Sequence, residues 1–173
     1  EQRSSSARGW ASPCAPCSGS WFWSRGLQVV KVSLVCVGKL KEAFWRDAVS
    51  EYAKRLARFC RFEVKELSEG KSPDEEAEPV LRACRGYVIA LAVEGKGCSS
   101  EALAAKLRAL CDRGAEITFV IGSSCGLSPR VKAAADELLS FSQMTFPHQL
   151  MRVILCEQVY RAFMISAGAE YHK

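Results

Sequence analysis

Two hydrophobic patterns alternate along most of this 173-residue chain: short β-branched apolar runs, and longer stretches with an apolar residue every three or four positions. The run Val29-Val30-Lys31-Val32-Ser33-Leu34-Val35-Cys36-Val37 is nearly continuous, the mark of a strand buried on both faces. Over residues 42–58, Trp45, Val49, Tyr52 and Leu56 recur at helical spacing, with Arg46, Glu51, Lys54 and Arg55 elsewhere on the wheel. FEVKEL (62–67) alternates as a strand, and residues 74–84 predict a short helix, with Pro79 standing against it. YVIALAV (87–93) predicts another buried strand. Ser99 or Ser100 then caps a helix with Leu103, Leu107 and Leu110 on its apolar face, ended by Gly114. A strand at 116–121 follows, then GSSCGLSP (122–129), a helix to about Leu139, a short strand at 141–145, and a long final helix behind Pro147-His148.

This order predicts an α/β domain: a parallel sheet covered by helices on both faces, three layers in all. Ligands of such sheets bind outside the carboxyl ends of the strands. That rule points to three loops, after Val93, after Ile121 and after Thr145. Residues 1–28 show no periodicity, mixing Ser, Gly, Pro and Arg with Trp21, Phe22 and Trp23. Arg25 interrupts any signal-peptide layout. The expected organisation is a poorly ordered N-terminal extension over 1–28 and one domain over 29–173.

Composition changes this picture little. Apolar residues make up 49% and charged residues 25%, as in soluble globular proteins, and no apolar run is long enough to span a bilayer. The formal charge is +5; Arg3, Arg8 and Arg25 against Glu1 account for +2, leaving +3 on the rest, which permits an anionic partner without identifying one. Of nine cysteines, Cys36, Cys60, Cys84, Cys98, Cys111 and Cys156 lie in or beside apolar segments without regular spacing. They read as small buried hydrophobes of a reducing compartment, and so of the cytoplasm. Cys14 and Cys17 form a CxxC with no further ligand pair at zinc spacing, and read as incidental thiols.

Candidate chemistry gathers at two places. In the 122–129 loop, Ser128 is placed as N-cap and Pro129 as first helical residue, while Gly122 and Gly126 allow close approach to bare amides. Without a Gly-Lys-Ser/Thr ending it is no P-loop, and it does not fit GxGxxG. On spacing alone it is either a plain strand–helix turn or a ligand loop. His148 opens the last helix, either as a hydrogen-bonded structural residue or as an imidazole that accepts a proton or meets an anion. Arg152 lies one turn on, on roughly the same side, where an anionic substrate can dock. Glu157 and Arg161 read as an i,i+4 pair on a solvated face.

The chain also carries VGKLKE (37–42), EYAKRL (51–56), EGK (94–96), FVIG followed by GLS (119–128), FSQMTFPHQLMRVIL leading into EQVYRAF (141–163), and a closing YHK. With these motifs it resembles the ribosomal RNA large subunit methyltransferase H family, in the SPOUT class of knotted methyltransferases. The resemblance implies an S-adenosylmethionine-dependent enzyme that methylates N3 of a pseudouridine in 23S rRNA. It implies a homodimer, a C-terminal trefoil knot and no metal. Carried over by residue, cofactor contacts fall on Leu91, Gly122, Phe141, Ser142, Gln143, Met144, Thr145 and Phe146. His148, Arg152, Tyr171 and His172 then face the substrate, with His172 or His148 as general base and Tyr171 and Arg152 as positioners. The chain departs from the family at Ser123, where a second glycine is usual, and at Cys125, a variable position. Its segment between Leu67 and Tyr87 is shorter, and residues 1–28 have no counterpart. Three rival readings stand beside this one: a SPOUT enzyme acting on another RNA, a cofactor-binding or ribosome-binding relative without catalysis, and a generic flavodoxin-like phosphate binder, against which the C-terminal motif stands.

Overall fold

The computed structural model describes residues 30–169 and 171; the 1–28 extension and His172 lie outside the described residues. Strands and helices alternate throughout: β1 (Lys31–Val37), α1 (Ala43–Leu56), β2 (Arg61–Leu67), α2 (Pro73–Ala83), β3 (Tyr87–Gly97), α3 (Ser100–Asp112), β4 (Ile117–Ile121), α4 (Pro129–Ala134), β5 (Glu137–Ser140) and α5 (His148–Ser166). The strands form one parallel sheet in the order β2-β1-β4-β3-β5.

Side chains alternate across the pleat, so β1 sends successive residues to opposite layers. Val32, Leu34 and Cys36 join a cluster with Val49 and Leu56 of α1, Leu103 and Leu107 of α3, and Leu155 and Val159 of α5. Val35 and Val37 face the other way, onto Ala77 and Val80 of α2 and Val131 of α4. Both faces are therefore covered, which is why the strand reads as a continuous apolar run. The helix starts are local chemistry. Ser72, Ser99 and Ser128 each accept an amide hydrogen bond as N-caps, from Glu75, Ala102 and Val131. Pro79 lies inside α2 and forfeits one helical bond, but Ala77 and Val80 are wholly buried against the sheet, and that packing overrides the local cost.

The sheet's far edge departs from the expected layout. The helix expected to reach Leu139 stops at Ala134, and the strand expected at 141–145 lies instead at Glu137–Ser140. Asp136 is the reason. Its amide donates to the Val88 carbonyl (2.9 Å) and its Oδ2 accepts from the Val88 amide (2.8 Å), pinning the chain to the edge of β3. Leu138 and Leu139 then pack on opposite faces, a period of two that one Leu-Leu pair cannot reveal in sequence. Strand β3 also continues past Val93, but not smoothly. Leu139 stands opposite both Leu91 and Lys96, so residues 92–95 arch out of the sheet. Gly95 makes the arch possible: a Cβ there would stand 2.7 Å from the carbonyl carbons of Leu138 and Leu139.

Candidate active site

The arch within β3 and the carboxyl ends of β4 and β5 surround a cavity of about 690 Å³. That lies within the roughly 300–1,000 Å³ range of small-molecule sites. The β3 arch supplies Ala92, Val93 and Glu94, the loop after β4 supplies Gly122 to Ser124, and the segment after β5 supplies Phe141 to Phe146, except Gln143. Of the residues singled out in sequence, Leu91, Gly122, Phe141, Ser142, Met144, Thr145, Phe146 and His148 line this cavity. Gln143 is not among the lining residues and is exposed.

Each wall is built locally. Gly122 lies so close to Gly126 that a Cβ would stand 2.4 Å from the Gly126 carbonyl oxygen. The amide of Gly126 donates to the carbonyl of Ser123 (3.0 Å), closing a tight turn. The Ser123 hydroxyl donates to Glu76 Oε2 (3.0 Å) behind the wall, and Glu76 Oε1 accepts from the Gly70 amide (3.1 Å). After β5, the Ser140 hydroxyl donates to the Ser142 carbonyl and the Met144 amide donates to the Ser142 hydroxyl, both at 3.0 Å. This self-bonded turn ends at Pro147, the N-cap position of α5. At the rim, Lys132 of α4 pairs with Glu94 of the arch, which holds the Glu94 carboxyl below its ordinary range.

His148 is half-buried at the cavity wall. Burial pushes its pKa below the ordinary value, the Arg152 guanidinium adds to that, and Glu69 partly offsets it. At neutral pH the imidazole is therefore uncharged and able to accept a proton.

Arg152 does not join it, which corrects the expectation that it faces the substrate. It is wholly buried, its Nη2 donating to the carbonyls of Val37 (2.7 Å) and Gly38 (3.0 Å) and its Nη1 to Glu66 Oε1 (3.0 Å). A planar guanidinium reaches all three acceptors at once, tying the ends of β1 and β2 to α5. Its Nε is buried without a partner among the described residues. Tyr171 is not in the cavity either. Its ring meets Tyr160 edge-on (centroids 5.1 Å apart), Arg161 lies 4.9 Å over it, and its hydroxyl donates to Glu157 Oε1 (3.4 Å). The Glu157–Arg161 pair is consequently half-buried rather than solvated.

Burial raises the thiols of Cys36, Cys60 and Cys156 to about 12 and that of Cys111 to about 11, as inert core residues require. Cys84 is half-buried and Cys98 is exposed, against expectation, because Cys98 falls in the turn between β3 and the Ser99 cap. Among the described residues no cluster of three or more His, Cys, Asp or Glu side chains is arranged to hold a metal, and no helix is long and apolar enough to cross a membrane. Sequence reasoning missed Lys132 and the Glu76–Ser123 contact. Glu76 sits in the acidic run Asp74-Glu75-Glu76, which reads as a solvated helix start; only the packing of α2 reveals that its side chain turns inward.

Comparison with known proteins adds a lineage. A family model described as "Predicted SPOUT methyltransferase" matches residues 30–172. "Ribosomal RNA large subunit methyltransferase H" of Streptococcus thermophilus (strain CNRZ 1066) is 50% identical over 159 residues, covering 83% of this chain and 100% of the relative. The protein of the same name from Bifidobacterium adolescentis is 48% identical with the same coverage. The aligned length exceeds this chain's share of it, so these relatives carry residues that this chain lacks. Among solved structures, the SpoU methyltransferase AviRb from Streptomyces viridochromogenes, in complex with AdoMet, aligns over 80% of this chain and 60% of its own at 8% identity and a TM-score of 0.47, too slight a likeness to carry an argument.

Proposed function

The chain belongs to the ribosomal RNA large subunit methyltransferase H family of SPOUT methyltransferases, and from that premise we propose that it uses S-adenosylmethionine to methylate N3 of a pseudouridine in 23S rRNA. It does so as a cytoplasmic homodimer with a knotted C-terminal segment. The observation that carries this reading is the meeting of Leu91, Gly122 and most of 141–146 around one cavity, at the β3 arch and the ends of β4 and β5. The walls suit the cofactor: Leu91, Leu127, Phe141 and Met144 offer apolar surface for a flat adenine, while Ser142 and Thr145 lie beside it for the polar ribose and amino-acid ends. When bound, the cofactor supplies an electrophilic methyl on a positively charged sulfur, which leaves as a neutral thioether once N3 has taken the methyl.

The chain's own work is positioning and proton removal. The N3–H proton has to leave, and His148, uncharged at the cavity wall, is placed to take it. His172 is the other candidate base. Tyr171 belongs to the same tail, yet it folds back onto residues 157–161. At 1.5 Å per residue those positions are roughly 14–20 Å along α5 from His148. A site that uses both His148 and the tail therefore draws the tail from a second copy. Helix α5 supports a second copy too. None of its residues is fully exposed, and Leu150, Ile154 and Met164 are half-buried apolar side chains outside both core clusters. Apolar side chains on the outer side of a helix, mixed with the Glu157–Arg161 pair, suit another surface over it. The passage of β5 alongside the 92–95 arch, before α5 returns across α1 and α3, is what supports the knot.

The test joins calorimetry to single-turnover methylation of ribosomes from a strain lacking the modification. The expected results are cofactor binding, one methyl on a 23S rRNA pseudouridine, and a loss of more than about tenfold in His172→Ala with cofactor affinity kept. Well-folded protein giving no heat with the cofactor or its demethylated product would refute the reading. Methyl found on another RNA would refute the substrate.

A further inference from the structure

Glu76 is 6% exposed, and both its carboxylate oxygens are occupied by donors from outside its own helix. One accepts from the amide of Gly70, in the loop after β2; the other accepts from the hydroxyl of Ser123, in the loop after β4. A buried carboxylate is tolerated only when its acceptors are so paired, and here the pairing ties two separate strand ends together. Ser123 is itself a cavity-lining residue and the first of the Ser123–Gly126 turn. Gly122, just before it, is pressed against the Gly126 backbone, so a small shift of Ser123 displaces the whole wall. Within the loop, the turn is closed by the bond from the Gly126 amide to the Ser123 carbonyl. A glycine or alanine at 123 would offer no hydroxyl, so the contact depends on the serine itself.

We infer that Glu76 is a positioning residue for the cofactor loop, acting through the Ser123 hydroxyl to hold the Gly122–Gly126 turn in its binding shape. This rests on the proposed function. Its signature is a cost in cofactor affinity, because the turn lines the pocket but supplies no group to the methyl acceptor.

The experiment is S-adenosylmethionine calorimetry and steady-state methylation on Ser123→Ala, Glu76→Ala, the double variant and Glu76→Gln, with thermal melts alongside. Ser123→Ala is expected to weaken cofactor binding about tenfold, the scale of a hydrogen bond to a charged group. The rise falls on Kd and the cofactor KM, while kcat at saturating cofactor stays within about twofold. The double variant is no weaker than the worse single, since both remove the same bond. Glu76→Gln, which can still accept from Gly70 and donate to Ser123, recovers most of the affinity lost in Glu76→Ala. If Glu76→Ala does not fold, Ser123→Ala alone decides. An unchanged Kd in Ser123→Ala, or losses that multiply in the double variant, overturns this inference alone. A wild-type chain that binds no cofactor overturns the proposed function and this inference with it.

Discussion

Arg152 and His148 stand one helical turn apart, and the structure gives them opposite environments. His148 lines the cavity, whereas Arg152 has no exposure and spends its donors on Glu66, Val37 and Gly38. A helical wheel places both on one side but cannot say how deep that side lies. Arg152→Ala would leave the Glu66 carboxylate and two carbonyls short of a donor around a new void. Loss of one partner of a buried pair costs about 3–5 kcal/mol, and because Glu66 keeps some solvent contact the lower end, about 3 kcal/mol, is expected. Arg152→Lys should recover little, since an ammonium cannot fork to the same acceptors. Urea unfolding of the two variants is the measurement. A stable Arg152→Ala protein that has lost only activity would return this residue to the substrate side.

Among the elements, the β3–β5 edge shapes the site most. Residues 92–95 leave the sheet and return to it beside the same residue, Leu139, and the arch between them forms one cavity wall. The motif EGK marked the place without disclosing its shape, because no local pattern distinguishes a loop after a strand from an arch within one. Gly95→Ala puts a methyl against the backbone of Leu138 and Leu139, neither of which can retreat as a flexible side chain would. Such overpacking costs about 1–3 kcal/mol. The expected outcome is faster hydrogen exchange at the β5 amides and weaker cofactor binding, with the core at β1 and β4 unaffected. Wild-type exchange at β5 would mean that the arch is not held by this contact.

On the scale of the whole molecule, the cavity and the described part of the tail lie apart in one protomer, at different stations along α5. Two dead variants can test whether two chains share a site. Gly122→Ala forces a Cβ into the Gly126 carbonyl and should close the cavity; His172→Ala should disable the tail. Mixed one to one and allowed to exchange, a shared-site homodimer regains about a quarter of wild-type activity, since half the dimers are mixed and each holds one intact site. Mixtures no more active than their parents would show that each chain works alone.

Much of this protein was legible in its one-dimensional pattern. Continuous apolar strands alternating with amphipathic helices determined a parallel sheet covered on both faces. The strand-end rule pointed to the neighbourhoods of Val93, Ile121 and Thr145, which do meet at one cavity, although Val93 lies in an arch within β3 and Thr145 in the segment after β5. Ser128 announced its cap, and the cap of α3 was narrowed to Ser99 or Ser100, because capping is settled within three residues. Tertiary structure decided the rest. Whether Leu138 and Leu139 continued a helix or formed an edge strand depended on Val88, forty-eight residues from Asp136. Whether Glu76 met water, and whether Arg152 faced ligand or core, depended on partners at Ser123 and Glu66 that stand 47 and 86 residues away. Periodicity reports which side of an element is apolar. The depth of that side, and the identity of the donor or acceptor waiting there, belong to the chain that packs against it.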